Sequence, residues 1–133
     1  MAFRSFEDLE VWQRGGRFAV DIFHTFSSCR NFTMQDQIQR AALSIPSNVA
    51  EGYERDSNRE FVRFLNIAKG SCGELRTQLY ISRKLRFIRK ADSDRLVTES
   101  KKSLRCFTAS LAPFGNASPK SNESLFPKLK PEP

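Results

Sequence analysis

Four stretches of this chain repeat apolar residues at helical spacing, and strand-type alternation is nearly absent. A chain patterned this way has few options. Each apolar stripe must be covered by another, and four helical stripes cover one another as a bundle. With short connectors, the spacing predicts an all-α, antiparallel, up-down-up-down four-helix bundle. The 133 residues suffice for one domain of that kind. They exclude a barrel enzyme or a two-domain dehydrogenase. Phenylalanine is over-used, with 12 copies against 2 tyrosines and 1 tryptophan, which points to a packed core rather than a hydrogen-bonding aromatic surface.

The first stripe opens at Ser5, which forms a Ser-x-x-Asp capping pattern with Asp8. Leu9, Trp12, Gly16, Ala19, Phe23 and Phe26 then follow one helix face. A second apolar line, Val11, Phe18 and Ile22, runs on a different side. A helix apolar on two sides must bury both. This one either sits centrally or meets another subunit, and in the latter case the Val11 line would stand exposed in a lone chain.

The second helix is expected from a Thr33/Asp36 cap, with Met34, Ile38, Ala41, Ile45 and Val49 as its stripe. Pro46 lies inside it. Proline removes a donor and crowds the preceding turn, so a kink is expected, with Ser44, Ser47 and Asn48 at hand for the freed carbonyl. Gly52 ends the helix or begins its last turn. Ser57 and Glu60 cap a third helix that runs to about residue 86, with Phe61, Leu65, Ala68, Cys72, Leu75 and Leu79 as its core stripe. Gly70, Ser71 and Gly73 interrupt it with small residues. Glycine is unfavourable inside a helix, so the pair suggests a close backbone crossing. A fourth helix starts at Asp92 or Ser93 and reaches Leu111, anchored by Leu96, Leu104, Phe107 and Leu111. Residues 1–112 form the bundle in this reading. Residues 113–133, rich in Pro, Ser, Asn and Lys, read as a flexible tail.

Charge is distributed unevenly. Lysine plus arginine is 22 against 15 acidic residues, a net of +7. Residues 1–56 hold 6 basic and 8 acidic side chains, a net of −2, while residues 57–111 hold 13 and 5, a net of +8. Within that stretch Lys69, Arg76, Arg83 and Lys90 are spaced by seven. Seven residues fall about 20° short of two full helical turns, so the four form one ridge about 30 Å long. Lys84, Arg86 and Arg89 thicken its C-terminal end. Such a ridge suits a phosphate backbone of RNA or DNA. No aromatic alternates regularly with the cations, which favours phosphate contact over base stacking. The competing reading is a solvated face, with cations placed well at a helix C-terminus.

The polar residues Gln37, Arg40, Ser44, Asn48 and Glu51 share one face of the second helix, placed to face Glu74 and Gln78 on the third; Arg55 extends the set. Such a cluster more often fixes register or a subunit contact than runs acid–base chemistry. His24 is the sole histidine, so a di-iron carboxylate site, which needs two Glu-x-x-His pairs, is excluded. Gly70-Ser71-Cys72-Gly73 lacks the Gly-Lys-Ser/Thr ending of a phosphate loop. Cys29, Cys72 and Cys106 form no Cys-x-x-Cys pair. The expectation is a non-enzymatic protein with no cofactor, no metal and no small-molecule substrate. The opening residues lack the pattern of a signal peptide and no apolar run is long enough to span a bilayer, so a cytoplasmic location is expected.

Four runs carry a family resemblance: Phe6-Glu7-Asp8-Leu9-Glu10-Val11-Trp12-Gln13, residues 37–52 with the core Ser44-Ile45-Pro46-Ser47-Asn48-Val49-Ala50-Glu51-Gly52, residues 64–71, and residues 74–79, with Cys72-Gly73 between the last two departing from the pattern. Together they resemble the bacterial 23S rRNA intervening-sequence protein family, over about residues 3–90. The resemblance implies a left-handed four-helix bundle that assembles as a ring-like homo-oligomer, a pentamer, and associates with nucleic acid. A similar bundle serves as an accessory subunit of a reverse-transcriptase system, so the resemblance also implies an alternative role as a protein–protein interaction scaffold.

Overall fold

The computed structural model describes residues 5–115. Four helices follow one another: α1 (Glu10–Phe26), α2 (Phe32–Glu54), α3 (Asn58–Lys84) and α4 (Lys90–Leu111). No strand occurs among the described residues. The all-α four-helix reading therefore holds. Contacts between α1 and α4 run Glu10 to Cys106, Arg14 to Glu99 and Asp21 to Arg95, so these two helices point in opposite directions.

The helix starts differ from expectation because other residues reach the orphan amides first. Phe6–Asp8 form a 3-10 turn, and Ser5 Oγ donates to Glu7 at 2.9 Å instead of capping, so α1 begins at Glu10. Asn31 rather than Thr33 caps α2, its side chain accepting from the Met34 amide at 2.9 Å. Asp36 pairs with Arg40 instead. Ser57 caps α3 as expected, accepting from the Glu60 amide at 3.3 Å. The fourth helix begins at Lys90, two residues before the earliest expected start. At its end Ala112–Phe114 form a further 3-10 turn, and Phe114 is buried edge-on against the Phe61 ring at 6.3 Å. The packed unit thus extends past residue 112, while residues 116–133 of the expected tail lie outside the described residues.

The core takes the expected stripes of α2 and α3 in full, apart from a half-buried Met34. Phe18, Phe26, Phe61 and Phe107 are fully buried at its centre. Each such side chain contributes about 1.5–3 kcal/mol by leaving water. The first helix corrects the expectation. Val11, Phe18 and Ile22, the line that would stand exposed in a lone chain, face the centre of this one. Of the other stripe, Leu9, Ala19 and Phe26 are buried as well, while Trp12, Gly16 and Phe23 are half-buried.

Two glycines mark where helices approach closely. A Cβ at Gly52 would lie 2.5 Å from Phe64 Cβ, and one at Gly15 would lie 3.1 Å from Ile45 Cγ2. Only the bare backbone lets α2 seat on α3 and on α1 at these points. At Gly70 and Gly73 a Cβ meets nothing within 4 Å, so no close crossing occurs there. α2 continues unbroken through Pro46. Ser44 Oγ donates to the Ala41 carbonyl at 2.8 Å and Asn48 to the Ser44 carbonyl at 2.6 Å. Neither takes the Ala42 carbonyl, the one that proline leaves without its usual partner.

Candidate nucleic-acid interface

The ridge is shorter than its spacing predicts, because α3 stops at Lys84. The Phe87 amide donates to the Ser82 carbonyl at 2.8 Å and the Arg86 amide to that of Arg83 at 3.0 Å. These two bonds form a Schellman stop, which puts residue 86 in the left-handed region at φ 62°. Glycine usually occupies that position. Here it is arginine, so the stop carries no compositional signal. Lys90 consequently lies on α4 and not on α3. Lys69, Arg76 and Arg83 alone follow the heptad line, over about 21 Å of helix, with Lys84 beside them.

Pairing divides the expected cations further. Arg89 is bound to Asp92 and Lys90 to Asp94, each at 3.2 Å. Lys69, Arg76, Arg83, Lys84 and Arg86 form no ion pair among the described residues. Arg83, Arg86, Arg89 and Lys90 border a hollow of about 960 Å³ at this end of the bundle, together with Asp21 and Asp92. Arg95, which the ridge pattern does not include, also lines it and bonds both carboxylates. Burial acts to raise the Asp92 pKa, but hydrogen bonds from Arg95 and Arg89 outweigh it and hold the carboxyl below its usual value. Two sub-regions result: a free basic line along α3, and a hollow at the α3–α4 turn in which Arg89, Lys90 and Arg95 are paired with carboxylates while Arg83 and Arg86 are not.

The polar residues of α2 and α3 make local contacts. Arg40 pairs with Asp36 at 3.0 Å, Arg55 with Glu51 at 2.9 Å, and Gln78 donates to Glu74 at 3.4 Å. Gln37 is exposed. Gln78 Oε1 is buried without a hydrogen-bond partner. The residue that joins the two helices here is Phe64, which opens one of the motif runs but belongs to neither the expected core stripe nor the polar cluster. It packs beneath Gly52, and the Arg55 and Arg63 guanidiniums lie 5.2 and 4.5 Å from its ring centroid. Arg63 also bonds Glu60, and that bond keeps the Glu60 pKa low. A glycine twelve residues before an aromatic, across one helix turn-round, is the signal that would have found this pair.

Nothing in this arrangement activates a nucleophile. Cys72 is buried, with Sγ 3.2 Å from the Ser100 carbonyl. Burial pushes its thiol up to about 11 against the opposing charge of Arg76. Burial and the Glu10 charge likewise raise Cys106. Among the described residues no group of His, Cys, Asp or Glu is placed to hold a metal ion, and no helix is long and apolar enough to cross a membrane.

A second surface lies between α1 and α2. Trp12, Gly16, Phe23, Leu43 and Pro46 line a mostly apolar groove of about 600 Å³. Val20 and Leu43 on its walls are 57% and 51% exposed.

Fold and surface together define a four-helix-bundle protein with a line of unpaired cations along α3. Residues 7–109 match the family described as 23S rRNA-intervening sequence protein, and the chain belongs to that family. The bundle is also similar to a 1.70 Å crystal structure of a protein of unknown function from the S23 ribosomal protein family of Bacteroides thetaiotaomicron VPI-5482. The two chains are 23% identical, with a TM-score of 0.73, covering 77% of this chain and 98% of the other. No curated protein matches the chain.

Proposed function

We propose that this protein is a non-enzymatic, oligomeric bundle that binds the phosphate backbone of nucleic acid through α3. The observation that carries the reading is the line of cations, Lys69, Arg76, Arg83 and Lys84, left without intramolecular ion pairs on the face of one helix. Unpaired cations on a straight ridge bind a polyanion without first breaking internal bonds, and they release its counterions. Membership in the intervening-sequence family supports the same reading. A titration with an RNA hairpin and with duplex DNA, at salt from about 50 to 200 mM, tests it. The wild type binds both at low salt. Arg76→Glu with Arg83→Glu weakens binding at least tenfold and lowers the salt slope by about 2. Absence of binding at low salt, or an unchanged titration curve for the double variant, overturns the proposal.

The apolar groove between α1 and α2 supports self-association, with five copies as the resemblance implies. It also favours a second reading, in which the bundle is a scaffold or accessory subunit for another protein. Light scattering separates the two. A multiple of the 15.3 kDa chain mass favours self-association. A monomer that is captured by one protein after nuclease treatment favours the scaffold.

A further inference from the structure

One aromatic side chain stands inside the free basic line. Tyr80 on α3 is 48% exposed. It makes no hydrogen bond and no ring contact with the described residues, unlike Trp12, Tyr53, Phe61 and Phe114, each of which packs against another ring. Its helical neighbours are Arg76 four residues before, Arg83 three residues after and Lys84 four residues after. Residues at those spacings lie about 5–6 Å apart at Cβ. The ring is therefore ringed by three cations that have no intramolecular ion pairs.

We infer that Tyr80 is a stacking platform for an unpaired base, so that the ridge binds single-stranded nucleic acid more tightly than duplex. The inference rests on the reading of α3 as a nucleic-acid surface and specifies what that surface prefers. A duplex presents phosphates to a helix ridge but hides the faces of its bases, leaving an exposed ring nothing to stack on. A single strand presents both. Its phosphates meet Arg76, Arg83 and Lys84 while one base lies flat on the ring, the combination that sequence-tolerant single-strand binders use. The tyrosine ring loses little conformational freedom when it does so, because it has only two torsions to fix. Regular alternation of aromatics and cations is absent from the sequence, and one platform among three cations does not require it.

The test uses fluorescein-labelled 15-mers of oligo-U and oligo-dT and a 15-base-pair RNA duplex against the full chain. Tyr80→Ala is expected to weaken binding of the single strands about tenfold and to leave duplex binding unchanged. Tyr80→Phe keeps the ring and is expected to bind like the wild type. Phe32→Ala removes an aromatic that is 74% exposed and has Gln35 and Asp36 as its helical neighbours, and is expected to change nothing. In a parallel experiment, 5-iodouridine in the oligo-U strand is expected to cross-link to Tyr80. Equal affinity of Tyr80→Ala and wild type for single strands, or cross-links that map elsewhere, overturns the platform. If Arg76→Glu with Arg83→Glu still abolishes binding in that case, the basic ridge stands without it. If no probe binds at low salt, ridge and platform fall together. Oligo-U against oligo-dT separates RNA from DNA as the source of the strand.

Discussion

The two halves of the bundle share a core and differ in what they show outside it. Residues 1–56 carry a net charge of −2 and border an apolar groove, whereas residues 57–111 carry +8 and present the ridge. Glycines differ too, though not strictly by half. Gly15 and Gly52 lie against neighbouring side chains, whereas Gly16 of the first half and Gly70 and Gly73 of α3 face open space. At the first two a missing side chain serves internal packing. At the other three it does not. The comparison teaches that one residue type on one chain signals opposite things, and that the neighbours decide which.

The largest expected effect tests the core of the first half. Phe18→Ala should destabilise the fold by about 3–5 kcal/mol, read as a fall in the thermal midpoint. If it instead leaves the midpoint in place and only reduces the mass seen by light scattering, Phe18 belongs to a subunit contact and the division drawn above breaks. Next comes Gly52→Ala. The new methyl would meet Phe64 Cβ at 2.5 Å, and relief by backbone shifts costs about 1–3 kcal/mol in chemical denaturation. An unchanged midpoint would show that the α2–α3 seam is slack. The opposite sign is expected on the open side. Gly70→Ala and Gly73→Ala should each raise stability by up to about 1 kcal/mol, through helix propensity alone. A loss of stability or of assembled mass there would reveal a partner covering that face.

The smallest effect concerns the turn where the halves of the basic surface meet. The Asp92 pKa is lowered in the fold, so its bonds to Arg95 and Arg89 stabilise the native state above the ordinary carboxylate pKa of about 3.9. That contribution is lost as the pH falls through the lowered value. The stability difference between wild type and Asp92→Asn should therefore be constant near neutral pH and shrink below about pH 4. A difference that persists under acid would assign the effect to packing.

Periodicity made most of the fold legible. Where a helix has one apolar stripe, as in α2 and α3, the stripe is the core. In α1 both lines are apolar, and periodicity orders residues around a helix without saying which line is buried along its whole length. Contact of Gly15 with Ile45 settles that, and no local pattern encodes it. Caps were less legible, since Asn31 and Thr33 both suit the first turn of α2 and geometry chose Asn31. Of the site, Lys69, Arg76 and Arg83 were readable by heptad spacing, with Lys84 next to the last of them. The loss of Lys90 to α4 was not, because a helix stop made at an arginine looks like more helix. Ion pairing of Arg89, Lys90 and Arg95 with acidic residues depends on how the α3–α4 turn folds back, which spacing does not carry.

Arg86 holds a backbone conformation that costs an L-residue roughly 1 kcal/mol or more over glycine. Replacing it with glycine would relax the turn and remove one positive charge in a single step. Robustness and surface charge thus pull this position in opposite directions. The residues tolerated there, in variants selected first for heat resistance and then for ligand binding, would disclose which demand the α3–α4 turn serves.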